Sequence, residues 1–327
     1  MIRFRALIAV LLVGLFTTFA RGQDAPAPAS VTPSSTEAVS PADDKPLPDI
    51  ASLIARAKAN QAHLDEIRKN YLCTLTSIVD DFDSKGTKKG THSDVFQVFF
   101  VDKLEIQQHT IHDGKPLTES EAKKEQERVD KAIAELKSGK AKPANKNVIS
   151  VSAILSALLK VASFTDARRF DVESRPTIAF NYAGDPHAKT TDLIEELASR
   201  LTGTVWFDEQ DGAVRKLNGK LQDNYKVGGG LLVNVKKDSQ FEITTEHVNS
   251  EIWFTHTVVG HVDGHILLFK GFDTDPNWTF SDYRKMKTSV TISPGNHVIG
   301  PDGEPLPEVI EEPSANPQPN PPTAPKM

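Results

Sequence analysis

Between Val205 and Tyr283 the chain carries a nearly unbroken series of strand-like segments, and that run limits the available folds more than any other feature. In places the apolar residues alternate, as at Leu231, Val233 and Val235, or at Phe241 and Ile243 against Glu242 and Thr244. That period of two belongs to a strand with one face in water. Residues 252–259 and 266–272 are instead apolar on both parities, so both of their faces need cover. Asp211-Gly212 supplies a hairpin turn, and Gly264 reads as the turn between the two apolar strands. A sheet of this kind curves around its core.

The rest of the chain adds strands and a few helices. Residues 71–79 and 95–101 read as a hairpin joined by the polar stretch 81–90, and residues 103–111 as a third strand ending at the turn Asp113-Gly114. Further strands are expected near 169–173, 177–182, 203–208 and 213–221, with residues 288–292 closing the sheet. Helices are expected over 48–70, 118–137, 148–163 and 191–199. The first repeats an apolar side through Ile50, Leu53, Ile54, Ala57, Leu64 and Ile67. Thr118 and Glu121 have capping-box spacing. The helix at 148–163 is apolar around much of its circumference, so it must be buried or lie over an apolar opening. The expected fold class is α+β: a curved, mostly antiparallel sheet forming a half-open β-barrel, with helices covering its concave side.

The ends differ from this middle. Arg3 and Arg5 precede an apolar run from Ala6 to Phe16, so residues 1–22 read as an export signal. The run is short for a spanning helix; a retained anchor is the alternative. Residues 23–47, rich in Ala, Pro, Ser and Asp, read as a disordered linker. Residues 299–327 read as a Pro-rich disordered tail, with nine prolines from residue 301 onward. Residues 48–298 are then the folded domain. The expected location is periplasmic or secreted, with no stable transmembrane segment after signal removal. A net charge of −6 and the lack of a basic block argue against nucleic acid as a partner. Cys73 is the single cysteine, so no internal disulfide forms.

No residue group reads as catalytic, cofactor-binding or metal-binding. His261, Asp263 and His265 share one parity only if the strand stays extended, and Gly264 argues for a turn there. His109 and His112 have opposite parities on a continuous strand. Asp80, Asp81 and Asp83 crowd one expected turn, and Asp273 and Asp275 flank another before Pro276. A glycosidase needs two carboxylates on opposite sides of one bond, and sequence does not place two of these that way, so they read as solvated turn residues. Cys73 lies in an apolar strand without a local partner and reads as buried and inert. Ser281 lacks a nucleophile elbow. Gly228-Gly229-Gly230 lacks a phosphate-loop lysine. Trp206, Trp253, Trp278 and Tyr283 fit the faces of a sheet.

The export signal, N-terminal helix, long hairpins and inserted apolar helix come in a familiar order. With Tyr71-Leu-Cys-Thr-Leu75, Val98-Phe-Phe-Val101, His112-Asp-Gly-Lys-Pro-Leu117, Leu201-Thr-Gly-Thr-Val-Trp-Phe-Asp208 and Phe280-Ser-Asp-Tyr-Arg284, the chain resembles secreted bacterial proteins of the periplasmic outer-membrane lipoprotein carrier superfamily. The resemblance implies a half-open barrel whose concave apolar face holds acyl chains. By parity and periodicity that role falls here to Phe96, Val98, Phe100, Ile154, Leu158, Leu267 and Phe269. The arginine latch of that family has no secure counterpart. The expectation is a non-enzymatic binder of an apolar ligand, a lipid or a lipidated protein, needing no cofactor. A structural or protein-interaction module with an envelope protein as partner is one alternative, and an envelope hydrolase the other.

Overall fold

The structure, a computed structural model, describes residues 46–101, 104–138, 151–267, 270–286, 291–293 and 297–299. The expected export signal, the linker up to residue 45 and the tail beyond residue 299 lie outside the described residues. The chain divides after Lys285. In the second unit β14 (Thr291–Ser293) and β15 (His297–Ile299) pair only with each other. Residues 291 and 292 therefore belong to a small hairpin instead of closing the large sheet.

The first unit opens with α1 (Ile50–Arg68), whose start is capped by the Asp49 carboxylate accepting from Ser52 N at 3.1 Å. Three strands follow: β1 (Tyr71–Phe82), β2 (Lys88–Val101) and β3 (Leu104–His112). Asp113 and Gly114 join β3 to the two-residue β4 (Lys115–Pro116), with φ of 45° and 73°. Positive φ at both positions is the type I′ hairpin, whose twist matches that of the strands it joins. Next comes α2 (Glu119–Lys137), which carries the expected capping box of Thr118 and Glu121. The apolar helix α3 spans Val151–Val161.

The chain continues through β5 (Ala162–Val172), β6 (Arg175–Gly184), α4 (Leu193–Ala198), β7 (Leu201–Asp208) and β8 (Val214–Leu221). Two short strands, β9 (Tyr225–Val227) and β10 (Val233–Val235), flank a single turn of 3₁₀ helix at the three glycines. Then come β11 (Gln240–Val248), β12 (Ile252–Ile266) and β13 (Lys270–Lys285). Among the described residues the sheet has 13 strands in the order β4-β3-β2-β1-β13-β12-β11-β8-β7-β6-β5, with β9 and β10 joined beside β12. Its pairs are antiparallel. The sheet curves without closing. The α+β half-open arrangement expected from the sequence is the one observed.

Gly264 corrects one expectation. It lies inside β12, not in a turn. A Cβ there would fall 2.4 Å from the Asn234 carbonyl oxygen and 2.6 Å from the Phe272 ring. Glycine is required because two neighbouring strands approach too closely for a side chain. The strand stays extended, so Asp273 and Asp275 also lie in a ladder, on β13, and not beside a turn. Among the described residues no helix is long and apolar enough to cross a membrane.

Candidate functional site

One line of paired residues crosses nine strands. It runs Phe180, Val205, Leu217, Ile243, Val258, Trp278, Ser77, Asp94, His112. Residues paired directly across strands share a face, so all nine lie on the same side of the sheet, called the inner face here. The line begins in a hydrophobic core and ends in a carboxylate and an imidazole.

The first half of this face is filled by the protein itself. Leu53, Ile54 and Ala57 of α1 and Ile154, Leu155, Leu158 and Val161 of α3 pack with Phe180, Val205, Leu217 and Ile243. Leu158 is fully buried. The apolar residues of α3 are thus covered by α1, by Ile194, Leu197 and Ala198 of α4, and by the sheet.

The second half is built mainly from strands, with the end of α1 at its margin, where Leu64 and Ile67 pack with Tyr71, Phe254 and Tyr283. Cys73, Leu75 and Val98 form a small cluster with the partly buried rings of Phe96, Trp278, Phe280 and Tyr283, all from β1, β2 and β13. The Trp278 indole nitrogen is buried and has no hydrogen-bond partner among the described residues. On the opposite side of the same strands, Phe99 pairs with Ile106. There α2 attaches to β3, with Gln108 donating to Gln126 at 3.1 Å and the His109 amide to the Glu125 carboxylate at 2.8 Å.

Of the register slips in the sheet, two shape the aromatic and polar end of the inner face. At β13 the register slips between Leu72↔Arg284 and Thr74↔Ser281, with Asp282 at φ 54°. The extra residue lets Phe280 and Tyr283, three apart, both reach the inner cluster. At β3 the register slips from Val95↔Ile111 to Phe96↔His109, skipping Thr110. His109 and His112 therefore face the same side, and the parity expectation that separated them fails.

The consequence is a tight polar group. Asp94 Oδ1 lies 2.8 Å from His109 Nε2 and 2.7 Å from His112 Nδ1. His109 Nε2 is also 2.8 Å from the Ile111 carbonyl oxygen. Phe96 stacks on the His109 ring, centroids 4.8 Å apart. The bond from Asp94 raises the His112 pKa above its ordinary value.

The residues expected to line an apolar cavity fall into separate places. Phe96 and Val98 belong to the strand-built cluster. Phe100, two further along β2 on the same face, lies under the Arg68 guanidinium at 4.8 Å. Ile154 and Leu158 sit in the core beneath α3. Leu267 is exposed, at φ 51°. Phe269 lies outside the described residues. Trp278 and Phe280 complete the aromatic patch but were not among the expected lining residues; their place opposite Ser77 and Leu75 depends on register, which no local pattern reveals.

The remaining candidates have structural surroundings. Cys73 is buried, and burial pushes its thiol up to about 12, consistent with an inert core cysteine. His261 and Asp263 stay on one extended strand, but His261 Nδ1 contacts Asp275 at 2.7 Å and Asp263 contacts Lys236 at 2.8 Å. The Trp253 indole donates to Asp211 at 2.8 Å.

No family model matches the chain, and no curated protein matches it. Among solved structures, one of lipid–protein interactions in lipovitellin is 7% identical over 70% of this chain, with a TM-score of 0.26. The match spans only 27% of the lipovitellin chain. A DUF1329 family protein from Desulfovibrio piger is 8% identical, covering 72% of this chain and 92% of its own, with a TM-score of 0.25. Likenesses this weak carry no argument about ligand or activity.

Proposed function

We propose that the chain is an exported, non-catalytic protein of the cell envelope or its surroundings. In this reading it binds an acyl chain, carried by a lipid or a lipidated protein, on the strand-built half of its inner face. The observation that supports this is the patch of Phe96, Trp278 and Phe280, part-exposed rings on strands whose cluster holds no helical residue among the described residues. Elsewhere on the same face α1 and α3 complete the core. Burying an aromatic ring is worth about 2 kcal/mol or more, so an apolar ligand gains by covering these rings. The Trp278 N–H is buried without a partner among the described residues, and a shift of the ring on binding would offer it to the carbonyl of an acyl ester or amide.

Lipids extracted from gently purified protein and identified by mass spectrometry are the direct test. Acyl-probe uptake should fall in Phe96→Asp and Trp278→Ala and persist in Leu267→Ala. Repeated absence of bound lipid, together with no acyl-probe uptake by the wild-type chain, sinks the proposal.

A further inference from the structure

We propose that Asp94, His109 and His112 form a binding site for a divalent transition metal of the zinc, nickel or copper class. The inference stands on the β3 bulge and does not depend on the acyl-binding reading. Without the extra Thr110, His109 and His112 would point to opposite faces. With it, one ligand atom from each of the three side chains lies within 4.8 Å of the others.

Both imidazole nitrogens converge on one oxygen, Asp94 Oδ1, at 2.8 and 2.7 Å. The Ile111 carbonyl oxygen adds a fourth electron-pair donor, 2.8 Å from His109 Nε2. Two N–H protons hold this group together in the metal-free protein, since the oxygens at both contacts only accept when Asp94 is ionised. A cation would replace those protons, and each atom would then offer it a lone pair. Ligands around a tetrahedral centre with bonds of about 2.0 Å stand about 3.3 Å apart. Each contact must therefore lengthen by about 0.5 Å, within reach of a side-chain rotation.

The surroundings orient the ligands. The stacked Phe96 ring sets the plane of His109. The Thr110 hydroxyl donates to the Val95 carbonyl at 3.0 Å, tying the bulge to β2. His112 Nε2, the nitrogen turned away from the site, lies 3.6 Å from Asp113 Oδ2. A carboxylate behind a ligating imidazole raises its basicity and steadies its orientation. Asp113 is itself held by the Ser93 amide at 3.0 Å. The three ligand side chains are 15, 24 and 31% exposed, so an ion from solvent can reach them and keep water ligands. Two imidazoles and one carboxylate suit borderline metals better than magnesium or calcium, which prefer oxygen alone.

Titration of the chelator-treated full-length chain with Zn²⁺ by calorimetry, and with Co²⁺ by visible absorption, tests this. The expected result is one saturable site per chain, with Co²⁺ bands of nitrogen–oxygen ligation. Asp94→Asn, His109→Asn and His112→Asn should each weaken binding by about tenfold or more, whereas His261→Asn, at another imidazole–carboxylate pair, should leave it unchanged. Circular dichroism melts establish that the variants are folded. Absence of saturable binding by the wild-type chain overturns the proposal, as does binding that survives the three ligand substitutions.

Discussion

Asp94 and His112 face each other in register across β2 and β3, and their side chains meet at 2.7 Å. The pair closes a line of nine strands that starts at the fully buried Phe180. The inner face therefore changes character along its width, from a core completed by α1 and α3, through an aromatic patch borne mainly by strands, to a polar group at its end. A bulge beside this pair adds a second histidine to the same carboxylate oxygen.

Leu158→Ala should lower unfolding free energy by about 3 kcal/mol, the cost of lost apolar contact plus a cavity beneath α3. Leu267→Ala, at an exposed turn, should change it by less than about 0.5 kcal/mol. Urea denaturation of the two variants checks the difference. Similar losses at both sites would mean that α3 is not part of the core.

Asp208 is closed off from solvent and accepts from Arg175 at 2.6 and 2.9 Å and from the Gln210 and Asp211 amides at 3.0 and 2.7 Å. Burial alone would raise its pKa, but the Arg175 contact and the Asp211 amide hold it below the usual carboxylate value. Asp208→Asn should cost about 2–3 kcal/mol. A double-mutant cycle with Arg175→Met should show coupling between the two positions. Additive losses would contradict the paired geometry.

Glu195 accepts hydrogen bonds from Lys160 and from the Thr191 amide and hydroxyl, and these lower its pKa from 4.5 to about 2. A group depressed on folding stabilises the protein fully above its unfolded value. That contribution is lost as pH falls from about 4.5 towards 2. The wild-type chain should therefore lose stability over this window more steeply than Glu195→Gln. Parallel melting curves across pH 2–5 for the two proteins would refute this role.

Cys73 is 5% exposed and its thiol is pushed up to about 12 by burial. A disulfide reagent at pH 8 should modify it only as fast as the protein opens, and at once in denaturant. Rapid labelling of the native chain would show that the strand-built cluster is open to solvent at its base.

The helices were legible because each carries its own signal. Thr118 and Glu121 announce the cap of α2 three residues apart, and the continuous apolar circumference of α3 requires burial. Strand parity was legible wherever pairing is regular, as at Phe96, Val98 and Phe100 on β2. Gly264 misled because a strand glycine needed for close approach and a turn glycine look alike in one dimension.

Thus the sequence alone determined the strand-rich α+β class and the four helices, since propensity, capping and periodicity act over a few residues. The tertiary structure decided which residues share the inner face. Trp278 reaches Ser77, and Asp94 reaches two histidines, through pairings between segments distant in sequence and through one extra residue at Thr110. A bulge reverses the parity of everything beyond it, and only the assembled register shows where that reversal falls.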